Sequence, residues 1–278
     1  MSTATLTEPG TSKFAQAGKI KVHYNEAGTG HPVILLHGGG AGASGWSNFV
    51  RNIGPLSEKY RVLLVDQPNY GKTDLVPLTE PLGQVSARMV RDLMDTLGMQ
   101  KATLVGNSLG GMTTLNFAVD YPDRLERMVL MGTPGPAVDL FTTFPTEGQK
   151  LLFRLFDTAT LEAFRAFINI MCYDASFATD ELLQQRVKAA TARPEAAQIL
   201  KAGLMRSRDL VPALRNTKHK SLIIHGRYDR VVPMEGSMQL FSLLENSTLL
   251  FFNKCGHWAQ FEKADEFNRA LVDFIDHS

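Results

Sequence analysis

Gly106-Asn107-Ser108-Leu109-Gly110 sets a serine at the centre of a G-x-S-x-G string, the pattern of a nucleophile held on a sharp strand-to-helix turn. Glycine two before and two after Ser108 removes the Cβ atoms that such a turn would drive into its neighbours. A serine hydroxyl is inert at neutral pH without a base to take its proton and an acid to orient that base. Of the seven histidines, His23, His31 and His37 precede Ser108, His219 and His225 flank or end an apolar run, and His277 is terminal. That leaves His257, in Lys254-Cys255-Gly256-His257-Trp258. The acid expected between serine and histidine is Asp229, just past the run 221–226. Asp209 is a weaker rival because it falls before that run, and Arg227 and Arg230 leave open that Asp229 is merely ion-paired. Ser108, Asp229 and His257 would together perform acyl transfer.

A second constellation has two readings. His37-Gly38-Gly39-Gly40-Ala41-Gly42-Ala43-Ser44-Gly45 follows the apolar run 33–36, and Asp66 ends the next run. Gly40-x-Gly42-x-x-Gly45 with an acid about twenty residues on is the spacing of a dinucleotide site. Against it, three residues separate the run from the first fingerprint glycine, and Ser108, Asp229 and His257 are left without a role. The favoured reading is an oxyanion hole, with the backbone N–H of Gly39 and that of Leu109 facing a tetrahedral intermediate.

The elements that must position these groups follow from apolar periodicity. Runs at 33–36, 62–65, 102–105, 128–131, 222–224 and 249–252 are continuous, as expected of parallel strands covered on both faces. Residues 19–26 alternate and predict an antiparallel strand at one edge. Helical spacing joins Val85, Met89, Leu93 and Leu97, continues over 109–119, and returns at Phe267, Leu271, Phe274 and Ile275. Between 134 and 217 only helices are expected, at 148–156, 161–171, 179–192 and 195–205, with Thr179 as an N-cap and Pro194 as a break. The expectation is an α/β core of residues 1–133 and 218–278, with 134–217 as a helical cap over a cleft. Within the helix after Thr179, Arg186 falls on the apolar stripe of Leu182, Leu183, Val187 and Ala190. A guanidinium there needs an anion: a substrate carboxylate, or Asp180 or Glu181, unless it snorkels to water. Phe164, Phe167 and Met171 are expected in the core rather than in a pocket, and Cys255 as a small buried hydrophobe.

Composition excludes several classes. The 278 residues are 44% hydrophobic and 21% charged, with a formal net charge of +1, so no basic face favours nucleic acid. Two cysteines are too few for a disulfide scaffold, and no run approaches a membrane span. The polar first dozen residues lack a signal-peptide core, so a cytoplasmic protein is expected.

The set Ser108, Asp229 and His257 with an HGGG loop resembles the α/β-hydrolase superfamily. Segments 37–48 (HGGGAGASGWSN), 106–118 (GNSLGGMTTLNFA), 146–150 (TEGQK) and 255–262 (CGHWAQFE) further resemble the meta-cleavage product hydrolases, carbon–carbon bond hydrolases of aromatic ring degradation. That resemblance implies an α/β-hydrolase fold and a 2-hydroxy-6-oxohexa-2,4-dienoate substrate cleaved between C5 and C6 after ketonisation. It also implies Ser108 as nucleophile, His257 as acid and base, Asp229 as orienter, and oxyanion N–H groups from Gly39 and Leu109. Gly38, Asn48, Asn107, Arg186 and Trp258 would contact the dienoate end. No metal or organic cofactor and a homo-oligomeric state are implied. A carboxylesterase or lactonase with the same triad is the alternative.

Overall fold

The computed structural model describes residues 6–135, 145–203 and 208–278. Eight strands form one sheet: β1 (Ser12–Ala17), β2 (Ile20–Ala27), β3 (Pro32–Leu36), β4 (Arg61–Val65), β5 (Ala102–Asn107), β6 (Leu125–Met131), β7 (Ser221–Gly226) and β8 (Ser247–Phe252). Their order is β1-β2-β4-β3-β5-β6-β7-β8. The β1/β2 and β2/β4 pairs are antiparallel and every other pair is parallel.

The helices are α1 (Glu8–Thr11), α2 (Gly45–Ser57), α3 (Leu82–Thr96), α4 (Leu109–Asp120), α5 (Glu147–Leu155), α6 (Leu161–Met171), α7 (Asp180–Thr191), α8 (Pro194–Gly203), α9 (Val211–Leu214), α10 (Met234–Leu243), α11 (Ala259–Glu262) and α12 (Ala264–His277). Alternate side chains of each central strand enter opposite layers. Ile34, Leu36, Leu104 and Leu130 pack with Met89, Leu93 and Phe117 of α3 and α4. Val33, Leu35, Val105 and Val129 pack with Phe49, Ile53, Phe267 and Leu271 of α2 and α12. Burial on both faces explains the unbroken apolar runs.

One expectation is corrected. The strand predicted at the edge is β2, and it lies second, because β1 pairs along its outer side from Ser12↔Asn25 to Ala17↔Ile20. The sequence of β1, SKFAQA, lacks β-branched residues and leaves Phe14 exposed, so its pattern is faint. Its partner is set by a two-residue connection whose Gly18 has φ +56°, the backbone sign that short hairpins require.

Helices α5 to α9 lie between β6 and β7, and the described residues of that interval contain no strand. Thr179 caps α7, its hydroxyl accepting from Leu182 N–H. Pro194 opens α8, where its missing N–H costs nothing. The predicted end of that helix at Met205 lies outside the described residues.

Candidate active site

Strands β3, β5, β6, β7 and β8 run the same way, so the loops that follow them gather at one edge of the sheet. Ser108 occupies the turn from β5 to α4 with φ 51° and ψ −111°, a left-handed backbone that a non-glycine residue holds only under constraint. Its N–H donates to Met131 O at 2.8 Å. A Cβ on Gly106 would collide with Gly110 O, and one on Gly110 with Leu36 O. Both glycines of the motif are therefore demanded by close backbone approach. Helix α4 starts without a side-chain cap, leaving the N–H of Leu109 as one of the unsatisfied donors at a helix N-terminus.

The glycine loop after β3 lies against this turn. A Cβ on Gly38 would stand 2.9 Å from Asn107 Oδ1 and 3.6 Å from Ser108 Cβ, and one on Gly39 3.4 Å from Leu109 Cβ. The loop is braced from behind. Tyr70 donates its hydroxyl to Gly39 O at 2.9 Å. His37 Nε2 accepts from Gln67 N–H at 3.1 Å, which leaves Nδ1–H to donate to Gly38 O at 2.8 Å. Burial holds His37 below the ordinary histidine range, which keeps that neutral tautomer. Asp66, the acid of the dinucleotide reading, is instead buried and spent on Gly45 N–H, Lys72 N–H and His23 Nδ1.

Asp229 and His257 meet across the loops after β7 and β8. His257 Nδ1 lies 2.7 Å from Asp229 Oδ2, while Asp229 Oδ1 accepts from Val231 and Val232 N–H at 2.8 and 2.9 Å. Burial alone would raise this carboxyl. The His257 charge and hydrogen bond, His225 and the Val232 N–H outweigh it, and the pKa lies below the usual carboxylate range. Arg230 pairs with Glu147 rather than with Asp229, and Asp209 is exposed just ahead of α9, accepting from Val211 N–H. An ionised Asp229 makes Nδ1 the donor and turns Nε2 into a free acceptor.

Ser108 and His257 line one cavity with Gly38, Gly39, Asn48, Asn107, Arg186 and Trp258. The Arg186 Nη1 donates to Ser47 Oγ at 2.9 Å and Gly42 O at 3.3 Å, and its guanidinium lies 5.2 Å from the Trp258 ring centre. Asp180 pairs with Arg165 instead, and among the described residues no carboxylate lies within ion-pair distance of Arg186. Burial lowers its pKa to about 10, so it is still a cation at neutral pH. The polar atoms of Asn48 and Asn107 are largely engaged within the protein. Asn48 Oδ1 accepts from Trp258 Nε1 at 3.0 Å, and Asn107 Nδ2 reaches Met131 O and His257 O at 3.3 and 3.4 Å.

Phe164, Phe167 and Met171, expected as core alone, also form cavity wall. Three further residues escape the motif reading. Gly132, after β6, has φ +47°, and a Cβ there would lie 2.9 Å from His257 Nδ1 and 3.2 Å from Asp229 Oδ2. His225 sits fully buried behind the acid, its Nε2 3.6 Å from Asp229 Oδ2. Glu262 accepts from Gly256 N–H at 3.0 Å and Trp258 N–H at 3.3 Å, bracketing His257. Its spacing of four from Trp258 was the available signal for the last.

Fold and site together define a serine-type α/β hydrolase, and residues 31–264 match the alpha/beta hydrolase fold family. The chain is 47% identical to a 2-hydroxy-6-oxo-6-phenylhexa-2,4-dienoate hydrolase of Comamonas testosteroni, covering 97% of this chain and 98% of the relative. It is 44% identical, with the same coverages, to a 2-hydroxy-6-oxononadienedioate/2-hydroxy-6-oxononatrienedioate hydrolase of that species. The meta-cleavage product hydrolase CumD of Pseudomonas fluorescens IP01 superposes with a TM-score of 0.85 at 34% identity, over 95% of this chain and 97% of that one. Within its superfamily, the chain belongs to the meta-cleavage product hydrolases.

Proposed function

We propose that this protein hydrolyses the C5–C6 bond of 2-hydroxy-6-oxohexa-2,4-dienoates, giving 2-hydroxypenta-2,4-dienoate and a carboxylic acid. The observation that carries the reading is Arg186, a cation with no carboxylate partner among the described residues, on the wall of the cavity that also holds Ser108 and His257. A substrate carboxylate satisfies it through a planar fork. An ester or lactone substrate without a carboxylate leaves it idle, so the esterase alternative is not favoured.

In this reading the dienol first ketonises, with His257 moving the proton to C5. Ser108 Oγ then attacks C6 as His257 Nε2 takes its proton, and Asp229 holds the imidazole in one tautomer and stabilises the imidazolium. The N–H groups of Gly39 and Leu109 receive the oxyanion. Collapse breaks C5–C6, and the leaving carbanion is delocalised into the conjugated enone before it takes a proton from His257. Water activated by His257 then opens the acyl-Ser108 ester. Asn48 serves by orienting the Trp258 ring beside Arg186, and Asn107 by tying β6 to the His257 loop, with Gly38 keeping the floor open.

Residues 1–133 and 218–278 act as the core and 134–217 as the cap over the cleft. Two buried free thiols, Cys172 and Cys255, suit a reducing cytoplasm, and a homo-oligomer is expected by size-exclusion chromatography. The direct test is Ser108→Ala. It should stop the fading of a coloured 6-phenyl dienoate by at least roughly 10³-fold while still binding it, as read by a spectral shift on mixing. A variant that cleaves at the parental rate removes serine from the chemistry.

A further inference from the structure

The relatives divide into two substrate chemistries that their identities to this chain barely separate. One carries an uncharged 6-phenyl group. The other is a nonadienedioate, whose C6 bears a two-carbon arm ending in a second carboxylate. Resting on the dienoate reading, we infer that this enzyme selects an uncharged apolar C6 substituent and discriminates against a C6 arm that ends in a carboxylate.

The cavity wall carries the argument. Its large apolar side chains besides Trp258 are Leu152, Leu155, Phe164, Phe167, Ile168, Met171 and Val231. Four of these project from α6, and apart from the half-buried Leu152 none is more than 7% exposed. Among the described residues lining the cavity, Arg186 is the one Lys or Arg. Neighbouring cations are committed elsewhere. Arg165 pairs with Asp180 and Arg230 with Glu147, Arg51 stacks on the Phe261 ring at 4.0 Å, and Arg193 donates to Gly71 O and Thr73 O. Among the described residues, one cavity cation therefore faces two carboxylates in the dioate. Whichever end takes Arg186, the other is desolvated against aromatic and aliphatic walls without a partner, which is far more costly than burying a neutral group there.

The test compares kcat/KM of the unaltered enzyme on three dienoates: the 6-phenyl compound, the nonadienedioate, and a 6-(3-methylbutyl) analogue. The last replaces the distal carboxylate by an isopropyl group of nearly the same shape. The phenyl and methylbutyl compounds should exceed the dioate by on the order of 100-fold. A dioate within threefold of the phenyl compound overturns the inference, as does a methylbutyl analogue no better than the dioate, since shape rather than charge would then govern. Fading of none of the three by folded enzyme overturns the dienoate reading itself, a distinguishable failure. As a second variant, Leu152→Arg puts a cation on the apolar wall at a half-buried site. It should shift the dioate-to-phenyl ratio at least tenfold toward the dioate, and an unmoved ratio counts against the inference.

Discussion

Replacing Arg186 by methionine keeps a long, flexible, apolar stem in the stripe of α7 while deleting the cation. In the parent, Nη1 makes both protein contacts, to Ser47 Oγ and Gly42 O, so Nη2 and Nε are left to grip a carboxylate. A hydrogen bond to a charged group is worth about 1.5–3 kcal/mol. A two-pronged grip in a site of low polarity therefore loses about 3 kcal/mol, or roughly 100-fold in kcat/KM for a dienoate. An uncharged aryl ester that reaches Ser108 without using the fork should change less than about threefold. Arg186→Lys, keeping charge without the planar fork, should fall between the two. Stability has the opposite sign. The Arg186 pKa is lowered to about 10 on folding, so its charged form is disfavoured in the native state at every pH below that value. The cost begins to fall only as the pH rises through about 10 and vanishes only above the ordinary arginine range. Methionine removes it, and thermal melting at neutral pH should stay level or rise. Stopped-flow fading, ester turnover and melting on one preparation decide the matter. Equal losses on dienoate and ester would refute the carboxylate clamp and leave Arg186 only its tie from α7 to Gly42 and Ser47.

Gly132→Ala should lower kcat roughly 10- to 100-fold with little change in dienoate binding, because its Cβ displaces the imidazole by a fraction of an ångström where geometry is most costly; an unchanged kcat would show that the dyad yields freely. Asp229→Asn should lower kcat by roughly 10³–10⁴-fold, since an amide does not fix the productive tautomer. Asp229 also contributes to stability with a definite sign. Its native pKa is held below the unfolded value, so the ionised carboxylate stabilises the fold above the ordinary aspartate pKa and that contribution is lost as pH falls through the native one. The melting-point gap between parent and Asp229→Asn should narrow with acidification below the ordinary range, and a gap independent of pH contradicts that origin.

What was legible in the sequence was whatever short-range chemistry writes into neighbouring positions. Gly106 answers to a collision with Gly110 within the same turn, whereas Gly110 answers to Leu36 on the neighbouring strand, and the strands answer to burial on both faces. Ser108, Asp229 and His257 could be picked out as candidates because each follows its own strand in chain order. What escaped was set at long range. Gly132 owes its identity to atoms of residues 229 and 257, and nothing beside it in the chain announces them. The strand β1 is held by its partner and by Gly18, not by its own composition. Phe164, Phe167 and Met171 have the helical spacing of core residues, and they do pack in a core; periodicity does not distinguish a side chain that faces another side chain from one that faces a void.

The helical insertion is coupled to the chemistry from two directions. From α6, Met171 O accepts the His257 N–H at 2.7 Å, and a Cβ on Gly256 would lie 2.9 Å from Cys172 Cα. Glu262 gathers Gly256, Trp258 and the following Tyr173 N–H into one acceptor, the last at 2.7 Å. Burial raises its pKa while these donors pull it down. From α7, Arg186 donates to Gly42 O, and Gly42 has φ +68° where a Cβ would stand 2.7 Å from Ala190 N. His257 and the glycine loop after β3 are thus each fastened to a different helix of the insertion. Four of the apolar wall residues lie on α6, whose last carbonyl, Met171 O, accepts from the His257 N–H. A bulkier C6 group that pushes α6 outward also moves His257 away from Ser108. Poorly fitting substrates should therefore lose kcat and not merely affinity, because substrate choice and proton transfer share one rigid contact.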